Sequence, residues 1–156
     1  MTLTHLDAAG HARMVDVTEK TPTVRSATAE AFVACADRVV AALRDESVPK
    51  GDVLAVARIA GISGAKRTAE LLPLAHVIGV HGATVDLEVT DAGVRIEATV
   101  RTADRTGVEM EALTAASIAA LTVVDMVKGM DKGTEIAGVR LLRKTGGKSG
   151  DWERGA

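Results

Sequence analysis

The sequence predicts an α+β fold, an antiparallel sheet of about four strands with helices packed on one face. Three observations carry that prediction. Residues 80–89 and 94–100 alternate apolar and polar positions around Asp91-Ala92-Gly93, the mark of a β-hairpin. From Gly107 to Lys128 there is no proline and no interior glycine, and apolar residues fall on every face. A helix of that kind is buried, with a sheet on one side and a partner on the other. Aromatic residues are almost absent, with one Phe, one Trp and no Tyr. The core must therefore be Ala, Val, Leu and Ile, side chains small enough for elements to pack closely.

Each element has a local reason. Residues 1–24, with Gly10, scattered charges and Pro22, read as an irregular arm. In 25–35, Arg25, Ala27, Ala29, Ala31 and Val33 alternate with Ser26, Thr28 and Glu30, which suits a strand, although the alanines would permit helix. Asp37 to Arg44 is a short amphipathic helix closed before Pro49. Residues 52–72 are helical by composition, and Gly61 and Gly64 predict a kinked pair ending before Pro73. Thr106 and Glu109 stand in the T-x-x-E relation of a capping box, which starts the long helix. Glu135 to Arg143 is the last strand, and 145–156 reads as a flexible Gly/Lys tail. The order strand, helix pair, strand, strand, helix, strand is that of a ferredoxin-like fold.

At 156 residues the chain is read as a single domain, long enough to bury roughly 70% of its unfolded surface. A net charge of −2 and the missing aromatic platforms argue against a nucleic-acid binder. One cysteine, Cys35, makes no internal disulfide and fits a reducing compartment. No apolar run is read as approaching the ~20 residues of a membrane span, and the first residues lack a signal-peptide core. The expected location is the cytoplasm.

The long helix carries ions in costly apolar surroundings. Asp125 and Lys128 are three apart, hence on neighbouring ridges. They read either as an i,i+3 ion pair or as an acid–base pair in which each shifts the other's pKa. Glu109 is the reciprocal capping-box member or a pocket residue. Glu111 lies about 200° round the helix from it, so two helical carboxylates would not address one spot. An acid in the first turn is also favoured by the helix dipole alone. His76 leaves a helix end, and neither His81 nor any cysteine stands at metal spacing to it, so no metal site is expected. Lys50, Lys66, Arg67 and the run Lys144 to Gly150 are anion candidates. Glycines let backbone N–H groups close round a phosphate, and lysines such as Lys144 and Lys148 add charge. The plain alternative is solvated loops and, for Arg58, Lys66 and Arg67, salt-bridged helix residues. The glycine run is not a Walker loop, since its spacing differs.

Several uninterrupted runs go further. Leu3-Thr4-His5, Met14 to Val17, Lys50 to Val53, Ala57 to Ile62, Ala65 to Thr68, Thr106 to Ala115, Asp125-Met126 with Lys128, and Lys144 to Gly150 resemble the cyclic pyranopterin monophosphate synthase family of molybdenum cofactor biosynthesis, nearly end to end. The resemblance implies a diphosphate-releasing lyase acting on a small molecule, 3′,8-cyclo-7,8-dihydro-GTP. It implies catalysis by Lys50, Asp125 and Lys128 with His76 assisting. Substrate contacts would come from Leu74, Ala75 and His76, from Glu109, Met110 and Glu111, and from Lys144 and Lys148 at the triphosphate. No organic cofactor is implied, and Mg2+ can travel with the triphosphate. Family members form hexamers, trimers of dimers, with pockets between subunits. This predicts an obligate oligomer in which Lys50 and Asp125 are tested as a pair meeting from different chains. The chain departs from the family where Ala75 replaces a usual Cys, Val77 a usual Pro and Val124 a frequent Tyr. These departures motivate one alternative, a non-catalytic nucleotide- or pterin-binding relative.

Overall fold

The computed structural model describes residues 4–155; Met1 to Leu3 and Ala156, including the first residue of the Leu3-Thr4-His5 run, lie outside them. Among the described residues, four helices and five strands follow the arm. They are β1 (Thr23–Ala34), α1 (Asp37–Arg44), α2 (Val53–Lys66), α3 (Thr68–Leu71), β2 (Gly82–Thr90), β3 (Gly93–Asp104), α4 (Glu109–Val127), β4 (Glu135–Thr145) and β5 (Trp152–Glu153). The sheet has the order β2-β3-β1-β4-β5 and every pairing is antiparallel. This is the expected α+β, ferredoxin-like arrangement with one addition. β5 pairs Glu153 with Arg143 and Trp152 with Lys144, within the segment read as a tail. Two residues are too short to show alternation.

The core is built from the predicted small residues. Ala27, Ala29, Ala31 and Val33 of β1 stand opposite Val100, Ala98, Ile96 and Val94 of β3, and all eight are buried. Onto them α4 lays Ala112, Ala115, Ala116, Ala119, Ala120 and Val123, each also buried. With methyl-sized side chains on both surfaces, α4 sits close to the sheet. At 19 residues, with an 18-residue window of mean hydropathy 1.6, α4 is long and apolar enough by composition to cross a membrane, and 56% of that window is buried in the fold. That corrects the reading that no run approaches this length.

Gly61 and Gly64 do not interrupt the helix. α2 runs through both, and the break comes at Arg67, before α3. Their task is close approach: a β-carbon on Gly64 would stand 2.9 Å from Ile118 Cγ1 on α4. The capping box also fails to form. α4 begins at Glu109 with Val108 as N-cap and no side-chain cap hydrogen bond.

The hairpin turn depends on Gly93, whose φ is +147° and whose added β-carbon would fall on the Val33 carbonyl oxygen of β1. Gly93→Ala is therefore expected to destabilise the fold by about 2–3 kcal/mol, from backbone strain and overpacking together. Urea unfolding measures this, and an unchanged midpoint would show that the turn relaxes freely.

Candidate functional site

The candidate residues gather at the two ends of α4. At its C-terminal end, Lys50 arrives from the loop before α2. Its Nζ donates to the Asp125 carbonyl oxygen at 2.9 Å and to Asp125 Oδ2 at 3.4 Å. Lys128 Nζ donates to Asp125 Oδ1 at 2.6 Å. All three side chains are about half exposed. The hydrogen bond and charge of Lys128, followed by those of Lys50, hold the Asp125 carboxyl below its ordinary range. The helix thus escapes the cost of burying ions by presenting them on an open side. Met110, Leu121, Asp125 and Lys128 are exposed, so the expectation of a helix with no solvated face is corrected. Lys50 and Asp125 meet within one chain, which also corrects the pair expected to meet between chains.

At the N-terminal end, a cleft of about 270 Å³ is lined by Leu74, Ala75, His76, Glu109, Met110 and Glu111, with His5, Val15, Val17, Lys20, Thr106 and Gly107. His76 Nε2 donates to the Val15 carbonyl oxygen of the arm. A carbonyl can only accept, so Nε2 carries a hydrogen. Glu109 occupies the first position of α4, and its carboxylate folds back against Gly107. Both glutamates therefore line one cleft, against the expectation from fully helical spacing. Sequence reasoning nominated neither Lys20 nor the arm backbone at Val15. No periodicity marks an irregular arm that docks by hydrogen bonds.

The Lys144 to Gly150 turn lies at the same end of the sheet as this cleft. Ser26 pairs with Thr145 on one side and Arg101 on the other. Lys144 Nζ donates to Ser149 Oγ at 2.5 Å, and Asp151 Oδ1 accepts from the Gly146 amide at 3.0 Å. Lys148 is exposed. Arg25, absent from the sequence candidates, donates from Nε to the Asp104 carbonyl at 3.2 Å and lies against Gly147. It joins the turn to the strand end that leads into the cleft. Arg58 and Arg67 take the structural alternative: Arg58 donates to the Val85 carbonyl and Arg67 pairs with Glu70.

Glu111 and Asp125 are fourteen residues apart on one helix, about 21 Å along its axis. One chain does not bring the Lys50–Asp125–Lys128 array to the His76–Glu111 cleft.

Burial drives the Glu111 carboxyl up to about 7, offset by its backbone hydrogen bond, reinforced by Glu109 and opposed by His76. The native chain then keeps a proton that the unfolded chain releases above 4.5. The protonated group's stabilisation is fully present below 4.5 and is lost as pH rises through about 7. Glu111→Gln should match the wild type at the acid end and exceed it above neutrality by roughly 1–2 kcal/mol, discounted for the open cleft mouth. Calorimetry across this window decides it, and parallel stability curves would contradict it.

The chain is 65% identical over 152 residues to the cyclic pyranopterin monophosphate synthase of Streptomyces coelicolor, covering 97% of this chain and 89% of the relative. The synthase of the same name from Nocardioides is 59% identical over 155 residues, covering 97% and 95%. That of Chloroflexus aurantiacus is 56% identical over 154 residues, covering 97% and 94%. The MoaC family matches residues 14–147, from the arm that caps the cleft to the glycine turn. The chain belongs to the MoaC family.

Proposed function

We propose that the chain is a cyclic pyranopterin monophosphate synthase, a lyase of molybdenum cofactor biosynthesis that converts 3′,8-cyclo-7,8-dihydro-GTP into cyclic pyranopterin monophosphate and diphosphate. The observation that carries this reading is the array in which two lysine ammonium groups share one carboxylate, beside relatives that bear this name. Forming the pyranopterin needs proton transfers at neighbouring atoms. Lys50 and Lys128 start as ammonium donors, and Asp125 holds them within reach of one ring. His76 assists through Nδ1 while its other nitrogen is fixed by the arm. Leu74, Ala75, Met110 and Glu111 shape the pterin pocket. Closing the cyclic phosphate expels a polyanion, and Lys144, Lys148 and Arg25 supply the opposing charge.

The separation of the two half-sites supports a shared site, in which the array of one subunit faces the cleft of another. The reading extends to a cytoplasmic trimer of dimers with no organic cofactor, Mg2+ entering only with the triphosphate. The test is incubation of purified protein with the cyclised dihydro-GTP and measurement of diphosphate and cyclic product. Stoichiometric binding without diphosphate release would favour the non-catalytic relative that Ala75 and Val77 suggest.

A further inference from the structure

The end of β3 and the residue after it tie together the segments that surround the cleft. Gly79, three residues after His76, is held by both of its backbone polar groups. Its amide donates to Asp104 Oδ2 at 3.2 Å, and its carbonyl accepts from the Thr102 hydroxyl. Arg105 Nε donates to the Lys20 carbonyl of the arm at 2.9 Å. The main-chain carbonyls of Asp104 and Arg105 both accept from Arg25, which lies against the glycine turn. Asp104 Oδ1 accepts from the Arg105 amide at 2.7 Å, which sets the backbone from which the guanidinium reaches the arm.

Packing does little to place that arm. Of residues 14–20 only Val15 and Val17 are even partly buried. Asp104 and Arg105 line a second cavity, of about 590 Å³, that shares Val15, Val17 and His76 with the cleft. The arm therefore stands as a thin wall between two open spaces, and hydrogen bonds position it. It is pinned at two carbonyls, that of Val15 by His76 and that of Lys20 by Arg105. The Lys20 amide closes a turn on the Val17 carbonyl at 3.0 Å, so the second pin fixes the turn together with Lys20, which lines the cleft.

We propose that Arg105 is a positioning residue for substrate binding: by gripping the Lys20 carbonyl it sets the arm, and with it the Lys20 ammonium, against the cleft before substrate arrives. This deepens the proposed function and rests on it for the ligand, a substrate that bears a triphosphate. An ammonium already in place spares the substrate the cost of ordering the arm. Once bound, the anionic group itself retains Lys20. Loss of the clamp then falls on affinity and leaves the proton-transfer steps at Lys50, Asp125 and Lys128 as they were.

Two substitutions separate the hydrogen bond from the charge. Arg105→Gln puts an amide N–H the same number of bonds from Cα as Nε, without the positive charge, and Arg105→Met has neither. In Arg105→Met, KM for the cyclised dihydro-GTP is expected to rise roughly 5- to 10-fold, the weight of one hydrogen bond, with kcat held within about twofold. Hydrogen–deuterium exchange of the arm segment 15–20 should quicken in the same variant. The unfolding midpoint should not move, because the bond is exposed. Arg105→Gln should keep KM and arm exchange near the wild-type values. An equal rise of KM in both variants would overturn the proposal, since the guanidinium charge would then be what meets the substrate. Unchanged arm exchange in Arg105→Met would overturn it as well. Exchange that quickens in Arg105→Met and not in Arg105→Gln, in a protein whose wild type turns over no substrate, would uphold the clamp and count against the proposed reaction alone.

Discussion

Lys128→Ala is expected to lower product formation by about 10²–10⁴-fold, the usual weight of a positioned proton-transfer group. Lys50→Ala should do the same. Neither change should move the unfolding midpoint appreciably, because both side chains are about half exposed and bond a carboxylate that is itself exposed. Ion pairs of that kind add little to stability. The two variants separate in one respect. Lys50 also bonds the Asp125 main-chain carbonyl, so its loss frees a carbonyl near the helix end as well as a charge. Lys128 bonds the side chain alone. Single-turnover diphosphate release, with thermal unfolding of each variant alongside, decides the matter. Wild-type turnover in either variant removes that lysine from the mechanism. A large drop in the midpoint would mean that the array is structural.

Much of this architecture is legible in the residues. The alternation of Ala27, Ala29, Ala31 and Val33 defines the inward face of β1, and Asp91-Ala92 with Gly93 sets the hairpin register that β2 and β3 adopt. The bounds of α1 agree with its sequence reading. What escaped the sequence is tertiary in origin. Gly61 and Gly64 look like breakers because propensity counts only their own helix. In the fold they admit α4, whose Ala115 carbonyl would lie 3.0 Å from a β-carbon on Gly61. β4 meets β1 with register shifts between Thr28 and Ala29 and between Phe32 and Val33, irregularities that alternation in one strand does not encode.

The candidate site shows the same division. The T-x-x-E signal at Thr106 was a true helix signal with the wrong partner. The helix begins at Glu109, whose carboxylate turns back over Gly107 instead of serving as a cap partner. This puts Glu109 and Glu111 in one cleft. Lys50 and Asp125 are 75 residues apart, and only folding shows that they touch within a chain. Arg25 escaped notice because at the sequence level it is only the charged first member of the set that continues as Ala27, Ala29, Ala31 and Val33. Its role appears when Asp104 and the glycine turn come beside it.

The central claim is that each site combines the Lys50–Asp125–Lys128 array of one chain with the His76–Glu111 cleft of another. Co-expression of Lys128→Ala chains with His76→Ala chains, under two affinity tags so that mixed oligomers can be verified, measures it directly. Each variant alone carries one defective half in every site and should be nearly inactive. If halves pair across chains, a mixed dimer holds one intact site and one doubly defective site. Random assembly then restores about a quarter of wild-type turnover, half the dimers being mixed with one good site in two. Lys50→Ala mixed with Lys128→Ala should restore nothing, since those lysines belong to one array. Verified mixed oligomers of Lys128→Ala and His76→Ala with no activity above the parent variants would contradict a site shared between chains.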